Sequence, residues 1–170
     1  MSYKWIGAIM IIVSCGGFGF TVAAMQLREE RSLRQLIAAL DYMECELQYR
    51  LTPLPDLCFQ VSEDAKGSIR EVFRRLSEEL EAQVSPDVEC CMQAVLANNY
   101  GLPLQTLEAL RLLGQTLGRF DLPGQLKGLE TVRTTCRKRL EALTTNKEPR
   151  LRSYQTLGIC AGAALAILFL

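Results

Sequence analysis

Two stretches of this chain carry no charged side chain, and they stand at its two ends. The first is Trp5 to Met25, and the second is Ser153 to Leu170, SYQTLGICAGAALAILFL. As a helix the first spans about 31 Å, enough to cross the hydrocarbon core of a bilayer. The second spans about 27 Å and opens on Ser153, Gln155 and Thr156, so its insertion is marginal without a partner helix. All 19 acidic residues lie between Glu29 and Glu148, and every basic residue except Lys4 lies between Arg28 and Arg152. Such a chain is expected to be a polar domain held at a membrane by its two ends. The predicted boundaries are 1–4 for a short outer N-terminus, 5–25 for transmembrane helix 1, 26–152 for the middle domain and 153–170 for transmembrane helix 2. With Leu170 as the last residue, no outer loop is expected beyond the second span.

Charge sets the expected orientation. Only Lys4 precedes the first run, whereas Arg28, Arg31 and Arg34 follow it; Lys147, Arg150 and Arg152 precede the second run, and no basic residue follows that one. Basic residues mark the cytoplasmic side. The expectation is a two-pass membrane protein with both termini outside, a cytoplasmic middle domain and the arginine collar facing lipid headgroups. Gly158 and Gly162 form a small-residue seam of the kind that packs membrane helices closely, and Cys15 and Gly19 repeat that spacing in the first run. An intramembrane hairpin follows from that pairing, with simple tolerance of glycine as the other reading. A competing reading is cleavage. Ile12-Val13-Ser14-Cys15 resembles a lipoprotein box and Val22-Ala23-Ala24 a signal-peptidase site. Either would make the mature chain an extracytoplasmic lipoprotein or secreted helical binding domain.

The middle domain reads as helix throughout. Leu33, Leu36, Ile37, Leu40, Met43, Leu47 and Leu51 recur at a helical period, and Thr52-Pro53-Leu54-Pro55-Asp56 interrupts them. Thr52 is expected to cap the next helix with Pro53 at its first position, and Ser68 to cap the one after. Ser85-Pro86-Asp87 opens a fourth helix, Leu104 to Phe120 forms a fifth, and Asp121 caps a sixth. No segment shows strand alternation. The predicted fold is an all-α, compact six-helix bundle. Pro149 is expected to break or kink the last helix before the membrane.

Composition excludes several functions. The chain has no histidine, which removes Ser–His triads and His–Cys metal sites. The middle domain holds 18 basic and 19 acidic side chains, without the excess that nucleic acid requires. Seven cysteines without a C-x-x-C pair read as reduced, small core hydrophobes. No P-loop, nucleophile–base pair or metal cluster is present, so no catalytic residue, cofactor, metal or small-molecule substrate is expected.

The segment RSLRQLIAALDYMECELQYRLTPL resembles the start of the stage III sporulation protein AB family. The matching positions are Arg31, Leu33, Arg34, Gln35, Leu36, Ala39, Leu40, Glu44, Glu46, Tyr49, Thr52, Pro53 and Leu54. The stretch Leu113-Gly114-Gln115-Thr116-Leu117-Gly118 with Asp121 and Gln125 resembles the family's second signature. Tyr154, Leu157, Gly158 and Gly162 resemble its closing membrane segment. The resemblance implies a single-domain relative of the inner-membrane platform protein F of type II secretion and type IV pilus machines. It implies a place in the mother-cell membrane around the forespore. There the family acts in a channel-like assembly with other membrane subunits and a secretion-type ATPase, stage III sporulation protein AA. It further implies that the domain docks that ATPase, with homo-oligomerisation as one route to a multi-bundle platform.

Individual residues carry two readings each. Glu44 and Glu46 are two apart and so leave a helix in different directions. Glu44, at the edge of the apolar stripe, is expected to need a cationic partner, either within the fold or on a docking protein. Tyr49 is core edge or interface. Gly114 and Gly118 are expected to permit close backbone contact with a neighbouring helix, and Gln125 to bond a facing helix. Arg70, Arg74 and Arg75 alternate with Glu71, Glu78, Glu79 and Glu81. That pattern is a solvated face laced with i,i+4 pairs or an electrostatic docking surface.

Overall fold

The computed structural model describes residues 2–50, 52–83, 87–98, 100–118 and 121–145, with the backbone alone for 2–23. The predicted second span, the seam residues Gly158 and Gly162, and the Pro149 kink lie outside the described residues. So do the side-chain surroundings of Cys15. The described residues form six α-helices and no strand: α1 (Ser2–Tyr49), α2 (Leu54–Asp64), α3 (Gly67–Glu81), α4 (Val88–Ala97), α5 (Leu104–Thr116) and α6 (Leu122–Thr145). The all-α expectation holds. The chain divides into two units, Glu29–Leu140, and Met1–Arg28 with Glu141–Leu170. The bundle described below is the first of these.

Helix α1 takes in the whole uncharged run Trp5–Met25 and continues to Tyr49. No proline falls between Ser2 and Tyr49, so nothing in the sequence stops the hydrogen-bond ladder at the predicted boundary between 25 and 26. Among the described residues, no helix is long and apolar enough to cross a membrane. Within the bundle, Leu33, Leu36, Leu40 and Met43 of α1 are fully buried. Leu57, Cys58, Ile69, Val72, Phe73, Leu76, Leu110, Leu113 and Val132 are buried with them. Each such side chain contributes roughly 1.5–3 kcal/mol by leaving water.

The helix starts differ from the capping expected. Pro53, not Thr52, is the N-cap of α2, and no side-chain bond closes that end. The Pro53 carbonyl accepts the first helical bond from Leu57 N–H at 2.9 Å, a role proline fills because it uses no N–H. Thr52 instead donates its hydroxyl to Glu46 Oε2 at 3.1 Å. Pro103 caps α5 in the same way, with Leu107 N–H at 3.0 Å. Ser68 lies inside α3, behind the N-cap Lys66, and its hydroxyl donates to the Tyr100 carbonyl at 2.8 Å. Thr52 and Ser68 thus each satisfy a group elsewhere in the fold. Asp121 does cap α6: its carboxylate accepts from Gly124 N–H at 3.3 Å and its carbonyl from Gln125 N–H at 2.9 Å.

Helix α5 ends at Thr116, short of the predicted Phe120. Gly118 adopts φ +73° and turns the chain, and a Cβ there would stand 2.5 Å from Val88 Cγ2. Gly114 faces Met92 of α4, whose Cβ would lie 2.7 Å from an added methyl. Both glycines therefore permit the close α4–α5 approach that their spacing predicted. Gly128 of α6 abuts Thr116 of α5, whose Cβ would lie at 2.6 Å. The cysteine expectation needs correcting. Cys58, Cys91 and Cys136 are buried, but Cys45 and Cys90 are exposed. Burial pushes the Cys58 thiol up to about 12 and raises that of Cys136 as well.

Gly114→Ala places a methyl against a Cβ rather than against a flexible chain end. The two helices must separate, and the variant is expected to lose about 1–3 kcal/mol of stability. Urea unfolding checks this, and an unchanged midpoint would show that the α4–α5 seam yields freely.

Candidate interaction surface

The polar residues of α1 fall on two flanks of its apolar stripe. Asp41 and Glu44, at i and i+3, share one flank; Tyr42, Glu46 and Tyr49, at i, i+4 and i+7, share the other. Each flank meets a different helix.

The first flank meets α6. Arg133 donates to Glu44 through Nη1 and to Asp41 Oδ1 at 3.1 Å. Arg137, one turn on, lies 3.5 Å from Asp41 Oδ2. Arg133 and Glu44 keep only 21% and 27% of their side-chain surface exposed. This pair is therefore screened less than a surface ion pair, and it joins residues 89 positions apart. The partner foreseen for Glu44 is thus found within the fold. A second link ties α6 to α5: Arg139 donates to Glu108 Oε2 at 3.1 Å and to the Gln105 carbonyl at 3.3 Å.

The second flank meets α2. Tyr42 donates its hydroxyl to Gln60 Oε1 at 3.0 Å. Burial, then the charges of Glu46 and Asp64, hold the Tyr42 phenol above its usual range. Glu46 is buried, accepts from Thr52, and lies 3.6 Å from Arg50. Beyond it Tyr49 is 77% exposed, so its ring belongs to the surface and not to the core edge. Phe59 of α2 is half exposed as well.

The remaining candidates scatter. Arg34 pairs with Glu30 at 3.0 Å on the exposed side of α1, and Gln35 is half-buried there. Pro53 is an exposed helix start, Gln125 a half-buried residue in the first turn of α6. Gly19 lies within α1, in the part described by backbone alone. On α3, Arg74 pairs with Glu78 at 3.4 Å, and Arg75 with Glu71 at 3.5 Å and Glu78 at 3.0 Å. Arg70 reaches across to Glu63 of α2 at 3.8 Å. The laced face predicted for this helix is present. An open cleft of about 460 Å³ runs beside it, lined by Glu71, Arg75, Glu79, Val95, Asn98 and Tyr100. Among the described residues no three His, Cys, Asp or Glu side chains are placed to hold a metal ion.

Reading along the sequence missed Asp41, Tyr42, Gln60, Arg133 and Arg137. The i,i+3 acids on α1 and the i,i+4 arginines on α6 were available signals. Nothing in the linear order says that these two helices lie side by side.

The fold and its polar seams define an all-α bundle in which charged groups mostly satisfy one another. The model of the family Stage III sporulation protein AB (spore_III_AB) matches residues 4–170, and the chain belongs to that family. It is similar to Stage III sporulation protein AB of Bacillus subtilis (strain 168), with 27% identity over 173 residues, covering 98% of this chain and 99% of that protein. Its fold is similar to a solved structure of Stage III sporulation protein AB (SpoIIIAB), with a TM-score of 0.64 and 23% identity. That likeness covers 72% of this chain and 98% of the solved one. The family is named for sporulation and not for an enzymatic activity.

Replacing Arg133 with Met leaves Glu44 and Asp41 facing one another without their shared cation. The expected loss is about 1–3 kcal/mol, between that of an exposed and a buried pair. A double-mutant cycle with Glu44→Gln, followed by urea unfolding, measures it. Additive single effects would show that the pair contributes no coupling.

Proposed function

We propose that this chain is a non-enzymatic, two-pass membrane platform subunit of a sporulation transport or channel assembly between mother cell and forespore. In this reading the bundle is similar to the type II secretion F domain. It lies in the cytoplasm of the mother cell and docks the secretion-type ATPase, stage III sporulation protein AA, to the other membrane subunits. The assembly is required for forespore development after engulfment. The observation that carries the reading is the family match over residues 4–170, which takes in both uncharged runs together with the bundle. The basic residues that follow the first run and precede the second support the orientation. Ion pairs that join different helices of the bundle, Arg133 with Glu44 and Arg139 with Glu108, suit a scaffold.

Docking is tested with the full chain in nanodiscs, titrated with the ATPase and monitored by calorimetry. Saturable binding at micromolar concentrations is expected. No heat and no retention at high micromolar concentrations would remove the docking role.

The exposed thiols report topology. A chain retaining only Cys45 and Cys90 is expected to escape a membrane-impermeant maleimide in intact cells and to react once the membrane is opened. Cys136 is a poor reporter because it is buried. Labelling of Cys45 or Cys90 from outside would reverse the orientation.

A further inference from the structure

The α1–α2 hairpin carries charge that the rest of the bundle does not fully answer. Residues 41–64 hold six acids and one arginine. Asp41 and Glu44 are taken by Arg133, and Glu63 lies within reach of Arg70. Glu46 is met by Arg50 and Thr52. Asp56 and Asp64 are exposed, and among the described residues neither has a cationic partner.

These two carboxylates are not scattered. Asp56, Gln60 and Asp64 follow one another at i, i+4 and i+8, which makes a single stripe along α2. Tyr42, Glu46 and Tyr49 make the adjoining stripe of α1. The Tyr42–Gln60 hydrogen bond at 3.0 Å fastens the two stripes at their middle. The seam therefore offers acids one turn either side of Gln60 and, toward the end of α1, a tyrosine ring 77% exposed to solvent. The Tyr42 phenol is raised first by burial and then by Glu46 and Asp64, with Arg50 opposing.

Separate exposed carboxylates along α2 and an exposed tyrosine on the adjoining stripe of α1 suit one kind of group above others. Guanidinium binds carboxylate through two parallel N–H donors, stacks on an aromatic ring, and sheds water more readily than an ammonium. Anionic lipid headgroups are repelled by the same carboxylates. We infer that the seam between Tyr42–Tyr49 of α1 and Asp56–Asp64 of α2 is a docking surface for an arginine-bearing segment of a partner protein. This rests on the docking reading above in one respect: the ATPase is the first candidate to carry that segment.

The full chain in nanodiscs of zwitterionic lipid is titrated in parallel with the ATPase and with an octa-arginine peptide, with octa-lysine as the charge-matched comparison. The Asp56→Lys/Asp64→Lys and Tyr49→Ala variants are compared with Glu81→Lys/Glu130→Lys, which makes the same charge change elsewhere on the surface. Circular dichroism confirms that each variant is folded. The expected result is that the two seam variants weaken ATPase and octa-arginine binding about tenfold or more, that the control variant does so by less than about threefold, and that octa-arginine binds more tightly than octa-lysine. If the ATPase binds every variant alike, the seam is overturned while docking itself stands. If the ATPase does not bind the unaltered chain, the docking reading falls and octa-arginine decides the seam. Binding lost in the seam variants keeps it as a site for another arginine-bearing protein, and binding indifferent to them overturns it.

Discussion

The bundle depends on α1 from Glu29 onward, because three different surfaces of one helix are committed there at once. The apolar stripe Leu33, Leu36, Leu40 and Met43 has no solvent exposure at all. On one side of it the Asp41–Glu44 pair meets Arg133 of α6; on the other, Tyr42 and Glu46 meet Gln60 and Thr52 at the α2 side. Burial alone would leave the helix free to rotate among similar packings, since apolar contact is non-directional. The two polar flanks remove that freedom. Turning α1 by one residue would separate Glu44 from Arg133 and Tyr42 from Gln60 together, leaving partly buried groups unpaired.

Between α4, α5 and α6 shape adds to charge: close steric fit accompanies the Arg139–Glu108 pair. Gly114, Gly118 and Gly128 each stand where an added Cβ would come within 2.7 Å of a neighbouring side chain. The contacts they make are with Met92, Val88 and Thr116, so the seam runs from α4 through α5 to α6. With no Cβ in the way, the neighbouring side chains pack directly on the glycine backbone, and dispersion contacts of that kind vanish quickly with distance. The bundle therefore combines a charge-specified edge with one where steric fit adds to charge.

Helix existence was legible in the sequence because apolar spacing carries it directly. Leu33 to Met43 and Ile69 to Leu76 alternate at 3 and 4, and these are the residues found buried. The caps were not legible in the same way. Thr52 and Ser68 are good capping residues, yet Glu46 and the Tyr100 carbonyl claimed their hydroxyls. Donating a proton there does not itself forbid capping, which uses the hydroxyl oxygen as an acceptor; neither residue stands at the N-cap, which is Pro53 in α2 and Lys66 in α3. The charge seam was half legible. Glu44 stood out at the stripe's edge, but Arg133 is 89 positions away, and chain order says nothing of which helix lies beside it. Gly114 and Gly118 were legible because a small residue on a packed face has few other uses.

The two flanks of α1 also differ in how completely they are neutralised, and this difference bears on function. On the α6 side Arg133 and Arg137 face Asp41 and Glu44, so the field there is closed within the fold. On the α2 side a single Arg50, largely in solvent, stands near Glu46. A fold that spent its cations evenly would have placed one beside Asp56 or Asp64. Asp56 lies in the first turn of α2, where the helix dipole favours a carboxylate, and Asp64 is two turns away and exposed, so any repulsion between them is a few tenths of a kcal/mol, roughly, and screened by solvent. That small penalty is readily tolerated by a bundle with this core. The uneven allocation therefore leaves a field on one face at little loss of stability, and a field left open in this way steers an oppositely charged protein surface toward the seam.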